Sequence, residues 1–240
     1  MSYLEENGIF LFDDVVSSDY GVWLEGSGTY NAAPRRFDVV PVPGRNGSLT
    51  IDGNAFEEID HKYHCFIGKG FGEYVGALRS ALMEKIGYCR LEDSYHPEEF
   101  YLARYMAGLT ANVAPAARGG QFDLVFRRDP RRFLKAGEET VELAAAGNIR
   151  NFTNFAAKPL IRVYGYGTIT IGSAAITVAQ GYPYIDIDSE VMDCTHGVDN
   201  ANSLVTFSPN EFPTLKPGNN GVSFSGNITK LVITPRWWVI

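Results

Sequence analysis

From Leu160 to the C-terminus the chain is a succession of short apolar runs cut by glycine, proline and asparagine: LIRVYGYG, TITIG, AAITVAQG, YPYIDIDSE, GVSFSG and ITKLVITPRWWVI. Runs of strand length with turn residues between them fold as hairpins, so this half is expected to be pure β, in a sandwich. The earlier half shares the habit in Ile9–Phe12 and Tyr20–Leu24 but contains one exception. In GEYVGALRSALMEKIGY, Val75, Leu78, Leu82 and Ile86 recur at helical spacing with Ala81 between them, which predicts a single amphipathic helix over about residues 72–86. Glu73 near its start and Lys85 near its end suit the helix dipole, and Gly87 can stop it. A lone helix with one apolar stripe must lay that stripe on a sheet. In GQFDLVFRRDP, Phe122, Leu124 and Phe126 alternate with Gln121, Asp123 and Val125, the mark of a half-buried strand. Aromatic residues at 13%, with 25 Gly and 12 Pro, agree with a β-rich chain.

Between the halves, AAAGNIRNFTNFAAKP is small, polar and without period. We read residues 144–158 as a junction between an N-terminal domain over 1–143 and a C-terminal domain over 159–240. A length of 240 residues suits one large or two ordinary domains.

The formal charge of −7 disfavours general binding to a phosphate backbone. Arg127-Arg128 and Arg131-Arg132 form the one basic cluster, expected on a solvated or interface face. Three widely spaced cysteines, Cys65, Cys89 and Cys194, are expected as reduced thiols of a cytosolic protein rather than a disulfide framework. The start, MSYLEENGIF, lacks the basic and apolar regions of a signal peptide, and no apolar stretch approaches the roughly 20 residues that span a bilayer.

The stretch VVPVPGRNGSLTIDG, residues 39–53, poses a choice between a phosphate-binding loop and a turn. A phosphate loop needs a helix N-terminus after it, and a strand-like alternation follows instead; the Gly-Lys-Ser/Thr ending is also missing. It is therefore a hairpin. A three-residue loop Arg45-Asn46-Gly47, with Gly47 left-handed in a bulge, would turn Val40, Val42 and Gly44 to the partner strand and Pro41 and Pro43 outward. That register makes 39–43 an edge strand which resists further pairing.

Four constellations carry candidate chemistry. His61, His64 and Cys65 in DHKYHC have metal-ligand types at close spacing, but no second ligand pair accompanies them, so packed or surface histidines are the expectation. Asp193-Cys194-Thr195-His196 supplies an acid, a thiol and an imidazole, yet near neighbours in a chain point apart. Asp186, Asp188 and Glu190 share one face of a strand, where they could bind calcium, act on a glycosidic bond or form a solvated face. Trp237-Trp238 could stack on a sugar or base; in a strand one of them enters the core and the other meets a contact. No catalytic, cofactor-binding or metal-binding residue is assigned, no cofactor is expected, and the chain is expected not to be an enzyme.

Several segments together resemble one family. VVPVPGRNGSLTIDG, a helix ending before YCRLEDSYHPEEFYLARY, and GGQFDLVFRRDPRRFLKAGEE are similar to the N-terminal half of the distal tail (Dit) proteins of long, flexible-tailed phages. YIDIDSEVMDC, FPTLKPGNNGVSFSG and ITKLVITPRWW resemble the second domain of that family. Asp129 in FRRDPRRFL stands where the family often has a basic residue. The resemblance implies a mainly β chain with an N-terminal β-sandwich carrying one α-helix and a C-terminal galectin-like sandwich. It implies six copies in a hexameric ring, the hub at the tail tip. The implied partners are the major tail tube protein, the tail-associated lysin, and the tape-measure and receptor-binding proteins. The location would be the virion, after assembly in the host bacterial cytoplasm, with no specific nucleic acid and no membrane. The proline edge and the segment Arg127 to Phe133 are plausible contact faces of such a ring. Two other classes compete: a carbohydrate-binding module using Trp237 or Trp238, and a hydrolase using the acids at 186–190.

Overall fold

The computed structural model describes residues 8–26, 31–68, 70–106, 108, 111–114 (backbone only) and 119–240. The chain divides into two compact units, one running to Arg132 and regaining Ile240, the other spanning Phe133–Val239.

The first unit contains β1 (Phe10–Phe12), β2 (Val15–Val16), β3 (Val22–Leu24), β4 (Arg35–Pro41), β5 (Ser48–Phe56), β6 (Ile59–Ile67), α1 (Phe71–Glu84), β7 (Cys89–Asp93), β8 (Glu99–Tyr105), β9 (Ala111–Ala114) and most of β10 (Gly119–Leu134). Among the described residues one sheet runs β2-β1-β7-β8-β10-β6-β3, with β9 also on β10, and β4-β5 stand apart as a two-stranded hairpin. The unit is mainly β with one helix, as expected, and among the described residues its strands form one continuous sheet plus a separate hairpin. Strict alternation aims the side chains: along β6, His61, Tyr63, Cys65 and Ile67 are buried while Lys62, His64 and Phe66 face out. Phe122, Leu124 and Phe126 do the same on β10, as their spacing required. These residues join Phe10, Phe12, Leu91 and Tyr101 in an aromatic-rich core.

Helix α1 buries Phe71, Leu78 and Leu82, and Val75 and Ala81 pack against the same core. The helix ends at Glu84, two residues before the expected stop, so Ile86 does not extend the stripe and is 93% exposed. Lys85 leaves the helix in an extended conformation and bonds Asp13 at 2.9 Å and also Asp14. That tether, followed by left-handed Gly87, turns the chain before Ile86 can reach the sheet.

The second unit contains β11 (Val141–Leu143), β12 (Gly147–Asn151), β13 (Leu160–Tyr164), β14 (Gly167–Ile171), β15 (Ala174–Val178), β16 (Tyr184–Asp188), β17 (Asp193–His196), β18 (Asp199–Asn200), β19 (Val205–Ser208), β20 (Gly218–Gly226), β21 (Lys230–Thr234) and β22 (Trp238–Val239). Two antiparallel sheets, β11-β21-β13-β16-β17-β18 and β12-β20-β14-β15-β19, share a core of Ile161, Val163, Ile169, Ile176, Ile185, Ile187, Leu231 and Ile233. This is the β-only half that its apolar runs required.

The domain boundary falls earlier than 143, and residues 144–158 are part of the second unit rather than a junction. β11 pairs with β21 and β12 with β20, completing one edge of each sheet. The polar residues that look like a linker are structural here. Asn151 is buried and donates from Nδ2 to the carbonyls of Phe155 (2.8 Å) and Leu215 (2.9 Å). Ala157 and Leu215 exchange two backbone hydrogen bonds, at 3.0 and 2.9 Å. A buried hydrogen-bonding asparagine has the composition of a loop and the role of a core residue.

Candidate functional site

The hairpin β4–β5 is the most exposed ordered element of the first unit. Its register pairs Pro41 with Ser48, Val40 with Leu49, Val39 with Thr50, Asp38 with Ile51 and Phe37 with Asp52. The expected three-residue loop is replaced by a six-residue connection, 42–47. Pro43-Gly44 makes the turn, with left-handed Gly44 and the Arg45 N–H donating to the Val42 carbonyl at 3.2 Å. Proline followed by a left-handed glycine is the signature of a type II turn, and it outcompetes the Asn46-Gly47 corner for the reversal. Gly47 is left-handed as expected, but it re-enters the strand rather than closing a bulge. A register shift does occur at the other end, between Arg35 and Phe37, where Asn54 is left-handed and its N–H is accepted by Asp52 Oδ1 at 2.9 Å. Arg35 also bonds Asp52, and these hydrogen bonds hold the Asp52 carboxyl below its ordinary range.

Six large apolar side chains of this hairpin, Phe37, Val39, Val40, Val42, Leu49 and Ile51, are 37–62% exposed. Pairing fixes their sides: Val40, Leu49 and Ile51 share one face, Phe37 and Val39 the other. An isolated two-stranded hairpin is marginal in water, and apolar residues on both faces need cover.

A buried polar network lies in the core beneath the sheet, and it was not read from the sequence. Asp93 accepts Tyr63 Oη–H at 2.7 Å, His96 Nδ1–H at 2.8 Å and the backbone N–H groups of Tyr95 and His96 at 3.0 and 2.8 Å. Burial pushes its pKa up, but these donors prevail and hold it below the usual carboxylate value. His61 packs edge-on against Tyr63 and tilted beside Tyr101 with Nε2 3.9 Å from Asp93, and burial, together with the Arg128 charge, depresses its pKa to about 4. Arg128 is buried too, where a solvated or interface face was expected for the basic cluster, because β10 turns it inward in step with Phe126. It lies 4.3 Å over the Tyr101 ring and donates to the Asn31 carbonyl at 2.7 Å. Arg127 faces out to Asp60, and Arg132 meets Glu99 at 3.3 Å. The turn residues Asp93-Ser-Tyr-His96 were the available signal, since an aspartate accepting the next N–H groups is a turn former.

The other candidates separate. His61 and His64 lie on opposite faces of β6, with His64 bonded to Asp123 at 2.6 Å, and among the described residues no group of three metal-capable side chains gathers. Cys65, Cys89 and Cys194 are free thiols, and burial raises the pKa of each, that of Cys194 to about 12. The His196 imidazole donates from Nδ1 to the Tyr184 carbonyl at 2.9 Å and stacks on Tyr182, so it activates no thiol. Asp186 receives two hydrogen bonds from Arg162 (2.7 and 2.8 Å), Asp188 two from Arg236 (2.6 and 2.8 Å), and Glu190 lies 3.7 Å from Lys158. Trp237 is in the core, while Trp238 donates Nε1–H to the Ala156 carbonyl at 3.1 Å and stacks on Phe155.

What remains is architecture, and the architecture has a counterpart. The chain aligns over 98% of its length with the whole of the SPP1 Dit protein, at a TM-score of 0.77 and 12% identity. The fold is that of a phage distal tail protein. SPP1 Dit is described as a paradigm of the hub adsorption apparatus in phages that infect Gram-positive bacteria. Two chains of the phage P2 baseplate in its activated conformation, with Ca and with Sr, also match the distal-tail fold. Their TM-scores are 0.50 and 0.51 at 9% identity, covering 94% and 95% of this chain and 96% and 97% of theirs. No family model and no curated protein matches the sequence.

Proposed function

We propose that this chain is a structural, non-catalytic hub protein at the tip of a phage tail. In this reading six copies form a ring that joins the tail tube to the tail lysin and the receptor-binding apparatus. The observation that carries it is the end-to-end correspondence with SPP1 Dit, both units included. The hairpin adds a physical reason to assemble, because a single chain leaves its apolar faces in water. The polar side chains argue the same way: each strand carboxylate at 186–190 is paired with a cation, and the thiols are held protonated. No described helix is long and apolar enough to cross a membrane. The chain would be made in the host cytoplasm and act in the virion. Glycan recognition through Trp237 and Trp238 is less favoured, since one ring is buried and the other has one face stacked on Phe155.

The test is binding to the tube. The purified chain mixed with its cognate tail tube protein should cap tube ends, seen as a terminal ring by negative-stain microscopy. A chain that binds no tube end and labels no tail tip with a specific antibody refutes the proposal.

A further inference from the structure

Asparagine followed by glycine occurs at Asn7-Gly8, Asn46-Gly47 and Asn220-Gly221, and Asn7 lies outside the described residues. This pair is reactive by its chemistry. The glycine amide nitrogen can close a five-membered ring on the asparagine Cγ, and a residue without Cβ leaves that approach unhindered. The fold treats the other two pairs in opposite ways. Asn220 lies in β20 and is 5% exposed. Its Nδ2 donates to the carbonyls of Lys216, Gly218 and Ile149 at 2.8, 3.2 and 3.3 Å, and its Oδ1 accepts the Lys216 N–H at 2.9 Å. Gly221 pairs with Asn148 in the β12–β20 ladder, so both reacting groups are held. Asn46 is exposed in the 42–47 connection. Neither its side-chain amide nor the Gly47 N–H has a hydrogen-bond partner among the described residues. Apart from the chain neighbours, no atom lies within 4 Å of where a Gly47 Cβ would stand. Asp52-Gly53 in the same hairpin is shielded in another way: Arg35 and the Asn54 N–H keep Asp52 ionised, and a carboxylate resists attack by nitrogen.

We propose that Asn46 is a site of spontaneous deamidation, where water alone converts the side-chain amide into a mixture of aspartate and isoaspartate. The Gly47 nitrogen attacks Asn46 Cγ as the Cγ–Nδ2 bond breaks. One proton passes through solvent from the Gly47 nitrogen to the departing Nδ2, which leaves as ammonia. The cyclic imide then takes up one water. Opening at the bond from the Gly47 nitrogen to Cγ gives aspartate. Opening at the bond to the Asn46 backbone carbonyl carbon gives isoaspartate, whose main chain runs through Cβ and Cγ. Either product places a new negative charge next to Arg45, and isoaspartate lengthens the connection by one main-chain carbon. Residues 42–47 lie outside the pairing that runs from Pro41–Ser48 to Arg35–Phe56, so the ladder is spared. The hairpin tip thereby changes charge and length with the age of the free chain.

The site depends on the fold of the free chain and stands or falls apart from the assembly reading. The purified chain is aged in alkaline and in mildly acidic buffer and mapped by peptide mass spectrometry, with electron-transfer fragmentation to tell isoaspartate from aspartate. The Asn46 peptide should gain about one mass unit as both products, faster in alkali, where the Gly47 nitrogen gives up its proton more readily. Conversion at Asn220 needs local opening, so Asn46 should react at least about tenfold faster in the folded chain, and the two rates should converge in urea. Asn46→Gln, which would have to close a larger ring, should remove the product, and Asn46→Asp should keep the wild-type melting temperature. A folded chain in which Asn46 stays an amide while the urea-unfolded chain converts overturns the proposal. So does an Asn46 that reacts no faster than Asn220, and a drop in melting temperature for Asn46→Asp overturns the spared ladder.

Discussion

Val40 and Leu49 lie directly opposite each other on one face of a two-stranded hairpin, and both stay exposed, at 43% and 46%. Cross-strand apolar pairs stabilise sheets when something covers them. Among the described residues no other strand pairs with this hairpin, and in the proposed assembly a further protein surface supplies the missing layer.

Leu49→Lys should therefore separate folding from assembly. An exposed site changes the unfolding free energy by no more than about 0.5 kcal/mol. Chemical denaturation is expected to match the wild type, while light scattering shows loss of the higher-mass species.

Asp93→Asn should act on the fold alone. The carboxylate takes four donors, two from side chains and two from the backbone, and an amide nitrogen would confront one or more of them. Leaving buried donors unmatched should lower the unfolding free energy by about 3 kcal/mol, read by urea denaturation.

His61 sets a pH window. Its folded pKa of about 4 lies below the ordinary 6.5, so the neutral imidazole is the form that the fold accepts. Its contribution is complete above pH 6.5 and is lost as pH falls toward 4, a total of about 3 kcal/mol. Asp93, also held low, adds its own loss at the acid end. His61→Phe should flatten the slope of stability between pH 6.5 and 4. Arg128→Met, which removes a nearby positive charge, should raise the folded pKa of His61 and so shrink the window from its acid end.

Two glycines distinguish geometric need from tolerance. Gly165 has φ +97°, and a Cβ there would sit 2.2 Å from the Asn227 carbonyl oxygen, whereas Gly172 has φ +56° with open space around it. Gly165→Ala should cost the second unit about 3 kcal/mol or more and Gly172→Ala about 1 kcal/mol, followed by thermal unfolding.

Period and punctuation made much of this fold legible. Alternation placed Phe122, Leu124 and Phe126 in the core, helical spacing located α1, and the runs after Leu160 gave the paired sheets. Residues whose role depends on distant partners were misread. Ile86 continued the helical period, but the Lys85 tether to Asp13 and Asp14, far away in sequence, ends the helix first. Asn151 had loop chemistry, and its carbonyl partner at Leu215 is invisible in a local window. Arg128 seemed a surface cation because the aromatic ring it covers, Tyr101, comes from another strand. For the candidate site, Pro41 and Pro43 marked the hairpin, but the Pro43-Gly44 turn set its register.

The most direct test is the mass of the purified chain in solution, alone and with tail tube protein, by light scattering after size exclusion. The account predicts a discrete particle of six times the 26.5 kDa chain, reverting to one chain in Leu49→Lys. A wild-type chain that stays at 26.5 kDa under both conditions contradicts it.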